Sequence, residues 1–66
     1  MTIDERRQKA LACLEKGEYE RAISEFTELI RLNPADSEAF LGRALAYRSL
    51  GEEAKALADE SVAKLT

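Results

Sequence analysis

Apolar residues return every three or four positions through most of this chain. From Tyr19 to Leu32 they fall at Tyr19, Ala22, Ile23, Phe26, Leu29 and Ile30. That spacing is one face of a helix, because successive helical residues turn by about 100°, and no strand would show it. Four helices are predicted. The first opens with Thr2 as N-cap and Glu5 three residues on, a pairing in which each side chain satisfies the other's free backbone amide, and it runs to about Lys16. Gly17 ends it, since a helix exit often requires the left-handed conformation. The second helix runs from about Tyr19 to Leu32, the third to about Leu50, where Gly51 ends it, and the fourth from about Glu53 to Leu65. Asn33-Pro34-Ala35-Asp36 is the one strong break, because proline lacks an amide proton and disfavours helical geometry in the residue before it. Asp36 or Ser37 can cap the third helix, with Glu38 well placed against its N-terminal dipole. Glu5 with Lys9 and Glu60 with Lys64 stand four apart, acid first, an order in which such pairs contribute about 0.3 kcal/mol each.

The pattern also repeats. Offset by 34 residues, Ala10-Leu11-Ala12 aligns with Ala44-Leu45-Ala46, Gly17-Glu18 with Gly51-Glu52, and Ala22 with Ala56. Asp4 and Glu38, Lys9 and Arg43, Arg21 and Lys55, Ile23 and Leu57, and Glu25 and Asp59 pair conservatively in the same register. A period of a few tens of residues marks a stacked-repeat architecture, and stacked repeats present extended binding surfaces.

Two helical hairpins with glycine at each turn and Asn-Pro between them resemble the tetratricopeptide repeat. Gly17-Glu18-Tyr19-Glu20-Arg21-Ala22-Ile23 is similar to that family's entry into its second helix, and Ile30-Arg31-Leu32-Asn33-Pro34 to its repeat boundary. The resemblance covers nearly the whole chain and implies one all-α domain over residues 1–66, with repeats at about 3–36 and 37–66 forming a short right-handed solenoid of four antiparallel helices. Ala10, Ala22, Ala44 and Ala56 are small where paired helices must approach. Tyr19, Phe26, Phe40 and Tyr47 are bulky where gaps between layers must be filled. Three departures put charge where the other repeat has an aromatic: Arg6 stands opposite Phe40, Glu60 opposite Phe26 and Glu53 opposite Tyr19. Each end of the stack is therefore expected to face water, as terminal repeats do.

Composition excludes several classes of function. Ten basic and thirteen acidic residues give a net charge of −3, which argues against nucleic acid, a partner that requires a basic face. Arg6, Arg7 and Lys9 are diluted by Asp4 and Glu5 and read as a solvated helix face. No stretch approaches a membrane span, and the first residues lack an apolar signal core, so a cytoplasmic location is expected. Cys13 is the single cysteine. It lies in an apolar stretch, as a small hydrophobe would, and has no histidine anywhere in the chain to activate it. With no phosphate-binding loop and no ligand cluster for a transition metal, no catalysis and no cofactor are expected.

Function is expected on apolar faces. Leu41 and Leu45 lie about 100° round the third helix from the face carrying Phe40, Ala44 and Tyr47. Leu11 is the counterpart of Leu45, and Leu14 lies one turn beyond Leu11. The resemblance implies that first helices line a concave surface, so that Leu11, Leu14, Leu41 and Leu45 form a groove rimmed by Arg7 and Arg48. The alternative is that these leucines thicken the core. Some members of the family clamp the C-terminal carboxylate of a chaperone peptide through lysine, asparagine and arginine. Here Arg7 fills one basic position, but Leu11 and Gly42 replace the two asparagines, and the 66 residues include no third repeat to supply further cations. A peptide or helix with an apolar ridge and acidic flanks is therefore expected. Ala54, Ala58, Val62 and Leu65 leave a second apolar stripe on the fourth helix. Pairing of two chains through it, or through the groove, would add burial to a core this small. A purely structural self-assembling unit, or a piece of a longer array, is the rival reading.

Overall fold

The computed structural model describes residues 2–65 and consists of four helices, α1 (Ile3–Glu15), α2 (Tyr19–Leu32), α3 (Ser37–Ser49) and α4 (Glu53–Leu65). Their boundaries match the periodicity to within a residue, because the chain marks its helix ends chemically. The Thr2 hydroxyl accepts from the Glu5 amide at 3.1 Å while the Glu5 carboxylate accepts from the Thr2 amide at 3.4 Å. Asp36, rather than Ser37, caps α3 by accepting from the Ala39 amide at 3.1 Å. The two hairpin turns are copies of one another. Gly17 and Gly51 take φ of 79° and 82°, and the amides that follow donate back into the preceding helix, Glu18 to the Cys13 carbonyl and Glu52 to the Tyr47 carbonyl, both at 2.8 Å. Only a residue without a Cβ adopts that φ freely.

Consecutive helices pack side by side, α1 on α2, α2 on α3 and α3 on α4, with a narrower contact between α1 and α3. The core is built from Ala10, Cys13, Ala22, Phe26, Leu29, Ala39 and Ala46, with Leu14, Tyr19, Ile23 and Ile30 packed against it. Alanines dominate because backbones this close leave no space for larger side chains, and Ala10, Ala22 and Ala56 are completely buried. Phe26 is the principal filler, and it needs Gly42. A Cβ at position 42 would fall inside the contact distance of the Phe26 ring, so the ring lies directly on the α3 backbone.

Arg31 pairs with Glu28 along α2 and Lys55 with Glu52 at the start of α4, but the two acid-first pairs expected from spacing give way to partners on other helices. Lys9 reaches Glu25 on α2 at 3.5 Å instead of Glu5, whose carboxylate is engaged in the cap, and Glu60 bonds Arg48 on α3 at 2.7 Å rather than Lys64. Packing has already ordered these pairs, so less side-chain entropy is lost in joining them than for a pair on a free helix surface.

Candidate functional site

The first helices of the two hairpins, α1 and α3, lie alongside each other and leave three leucines open. Leu11, Leu41 and Leu45 are 45%, 47% and 53% exposed. The fold itself is not loose: its accessible surface of 4215 Å² equals the ~4200 Å² expected for a folded monomer of this mass. The leucines are thus a surface of a well-packed chain. Leu14 is different. It turns inward and packs against the core cluster, so the expected four-leucine stripe divides into three surface positions and one core position.

The two arginines expected to rim this surface are both held by carboxylates of the chain. Arg7 grips Asp36 with two bonds of 3.2 and 2.7 Å, clipping α1 to the start of α3. The Arg7 guanidinium holds the Asp36 carboxyl below its usual pKa, outweighing burial, and the amide of Ala39 adds to the effect. Arg48 bonds Glu60 at 2.7 and 3.0 Å and Glu53 at 3.1 and 3.2 Å. The guanidiniums that were expected to stand open to a ligand's acidic residues are therefore already paired. Asp36, the N-cap of α3, and Glu53 and Glu60 of α4 hold them.

The outer surface of α4 is the second open region. Ala54, Ala58 and Leu65 are exposed and Val62 is half-buried. Leu57 joins them at 53% exposure. Sequence reasoning missed Leu57 as a surface residue, because its counterpart Ile23 is packed against the core. Arg43 was also missed as an anchor. It bonds Asp59 through two contacts of 2.8 Å and Thr27 at 3.2 Å, and its guanidinium carbon lies 5.5 Å from the Phe40 ring centre and 5.8 Å from that of Tyr47. The conservative pairs Lys9/Arg43 and Glu25/Asp59 were the available signal: both hairpins place a cation on the first helix against a carboxylate on the second. Among the described residues no group of three potential metal ligands converges, and no helix is long and apolar enough to cross a membrane. Cys13 is buried.

Antiparallel hairpins stacked with a fixed offset, small residues at the crossings and an open surface on the first helices define a helical-repeat interaction scaffold. The chain belongs to the tetratricopeptide repeat family, whose model matches residues 7–64. Among curated proteins it is similar to Hsp70-Hsp90 organizing protein 1 of Glycine max, 36% identical over 56 residues that make up 85% of this chain and 10% of that protein. It is likewise similar to Hsp70-Hsp90 organizing protein 1 of Arabidopsis thaliana, 40% identical over 48 residues, 73% of this chain and 8% of that one. The Hsp70-Hsp90 organizing protein of Triticum aestivum is 36% identical over 56 residues, 85% and 10% of the two chains. The chain thus spans about a tenth of the length of these relatives. No solved structure matches it with significance. A protein–protein interaction scaffold is the function this membership supports.

Proposed function

We propose that the chain works as one two-repeat unit, about residues 3–36 and 37–66, that binds an apolar peptide or amphipathic helix across Leu11, Leu41 and Leu45. The observation that carries this reading is that these three leucines stay open on adjacent helices of a fold with ordinary compactness. Contiguous exposed apolar surface on a compact chain marks a partner site. The relatives' name assigns them to organising Hsp70 and Hsp90. If this chain meets a chaperone, the groove favours an apolar segment over a carboxylate terminus, since Leu11 and Gly42 offer no side-chain donors and Arg7 is engaged by Asp36. The unit acts in the cytoplasm, with no catalysis and no cofactor. Self-association is a second reading, favoured by the apolar outer surface of α4, where Leu65 is 88% exposed.

The test is titration of amphipathic helical peptides that differ only in the apolar ridge. Leu41→Glu places a charge at the middle of the groove without touching the core. It should weaken binding by at least tenfold, about 1.4 kcal/mol, with the circular dichroism spectrum unchanged. Equal binding by the parent and Leu41→Glu would remove the groove from consideration.

A further inference from the structure

Comparing α4 with α2 reveals a face whose polarity has been inverted. On α2, Glu20, Ser24, Thr27 and Arg31 are exposed and Glu28 is half-buried, an ordinary solvated surface. Thirty-four residues later the same positions are Ala54, Ala58, Ser61, Leu65 and Val62. Every polar position has become apolar or smaller, yet Ala54, Ala58, Ser61 and Leu65 stay exposed and only Val62 is half-buried, because among the described residues α4 packs on α3 alone. The opposite change has occurred on the side that α2 turns toward α3. There Tyr19, Phe26 and Ile30 are replaced by Glu53, Glu60 and Lys64. The apolar stripe of α4 has thus been rotated away from the direction in which a further repeat would stack. It faces outward, and Leu57 widens it.

We infer that this outer face of α4 pairs with the same face of a second copy, in an antiparallel two-fold arrangement centred between Ala58 and Ser61. The inference rests on the self-association reading above and specifies its surface and direction. The choice of occupant follows from the charges along the stripe. Glu53 and Lys64 lie on one edge of it, three turns apart, and Lys55 and Val62 lie on the other. In an antiparallel pair each edge meets its own copy end for end, so Glu53 meets the partner's Lys64 and Lys64 meets the partner's Glu53. A parallel pair would set Lys64 beside Val62 at the far end of the other edge, while the exposed carboxylate near that edge, Glu52, is bonded to Lys55 at 3.0 Å and lies twelve residues away along the chain. Glu53 is bonded by Arg48 but keeps 59% of its side chain exposed, so it can accept from a second cation. The antiparallel register also alternates sizes: Leu65 seats over the partner's Ala54, and Ala58 over the partner's Ser61. An apolar face with self-complementary edges fits a second copy, whereas an unrelated helix would have to match both edges separately.

A single helix pair of about 20 Å length buries well under the ~1,200 Å² of stable interfaces. The expected dimer is therefore weak, half-formed on the order of 0.1–1 mM. Sedimentation equilibrium of the 66-residue chain from about 20 µM to about 2 mM brackets that affinity class. The parent should pass from monomer to dimer across this range. Lys64→Glu and Glu53→Lys should each weaken self-association by about tenfold or more, since each puts like charges together twice. An equimolar mixture of the two variants should dimerise at least as well as the parent, because opposite charges then meet at both ends. A parent that stays monomeric at the top concentration overturns both this inference and the self-association reading. A parent that dimerises while the single variants dimerise equally overturns the α4 register alone, and leaves self-association through another surface.

Discussion

The joint between the hairpins and the open end of α3 and α4 use the same three positions in opposite ways. At the joint, Leu14, Tyr19 and Phe26 close over the core, and Phe26 lies against the bare backbone of Gly42. At the open end their counterparts, 34 residues later, are Arg48, Glu53 and Glu60, which bond one another instead of a neighbour. The difference shows how one set of positions serves a packed joint in one hairpin and a solvated surface in the other. An apolar triad is stable only when covered, since its contribution comes from removing surface from water. A triad of one cation between two anions satisfies its own hydrogen bonds and remains solvated. The other end is treated alike: Arg6 stands where α3 has Phe40, and bonds Glu25 at 3.0 Å.

The sharpest way to break this comparison is to truncate the same position in both hairpins. Phe26→Ala removes a completely covered ring and should cost about 3–5 kcal/mol, enough to unfold a domain this small; helical circular dichroism at 25 °C would be largely lost. Gly42→Ala attacks the same joint from the other side. It forces the Phe26 ring off its seat, an overpacking cost of about 1–3 kcal/mol, read as a lower urea midpoint with an unchanged m-value.

Acidification probes the clip between α1 and α3. The Asp36 carboxyl has a folded pKa below its ordinary 3.8. Between those two values the unfolded chain binds more protons, so stability rises with pH there. The stabilisation is therefore complete above the ordinary carboxylate range and is lost as pH falls through the depressed value. Urea midpoints in the parent should drop on acidification more steeply than in Asp36→Asn, which has no proton to gain; identical slopes would remove Asp36 as the source. Glu60→Ala, the counterpart of the first substitution, should have the smallest effect, within about 1 kcal/mol, as for other solvated ion pairs. If it approached the effect of Phe26→Ala, the open end would not be the solvated surface described here.

Much of this was legible because helix ends and helix faces are local properties. Thr2, Gly17, Pro34, Asp36 and Gly51 act within a turn of themselves, and the three- and four-residue spacing of α2 states which side is buried. Charge pairing was not legible in the same way. The i,i+4 pairs Glu5/Lys9 and Glu60/Lys64 were expected from spacing, but Lys9 and Glu60 found partners across helices. A short spacing shows only which residues are neighbours on a free helix. Leu14 and Leu57 exchanged roles for a related reason. Each is an apolar residue at the margin of its stripe, and its fate depends on whether a neighbouring helix offers a gap. Leu14 packs against the core cluster, and Leu57 stays 53% exposed.

From its residues alone the chain determined four helices, their turns, the alanine crossings and membership of a repeat architecture, because each follows from backbone preference, capping or periodic burial within a short segment. The tertiary structure alone decided that three leucines rather than four stay open, that Arg7 and Arg48 are engaged within the chain, and that Leu57 joins the apolar face of α4 at the surface. Those outcomes depend on which side chain reaches a shared gap or carboxylate first, and that competition exists only once the helices are packed.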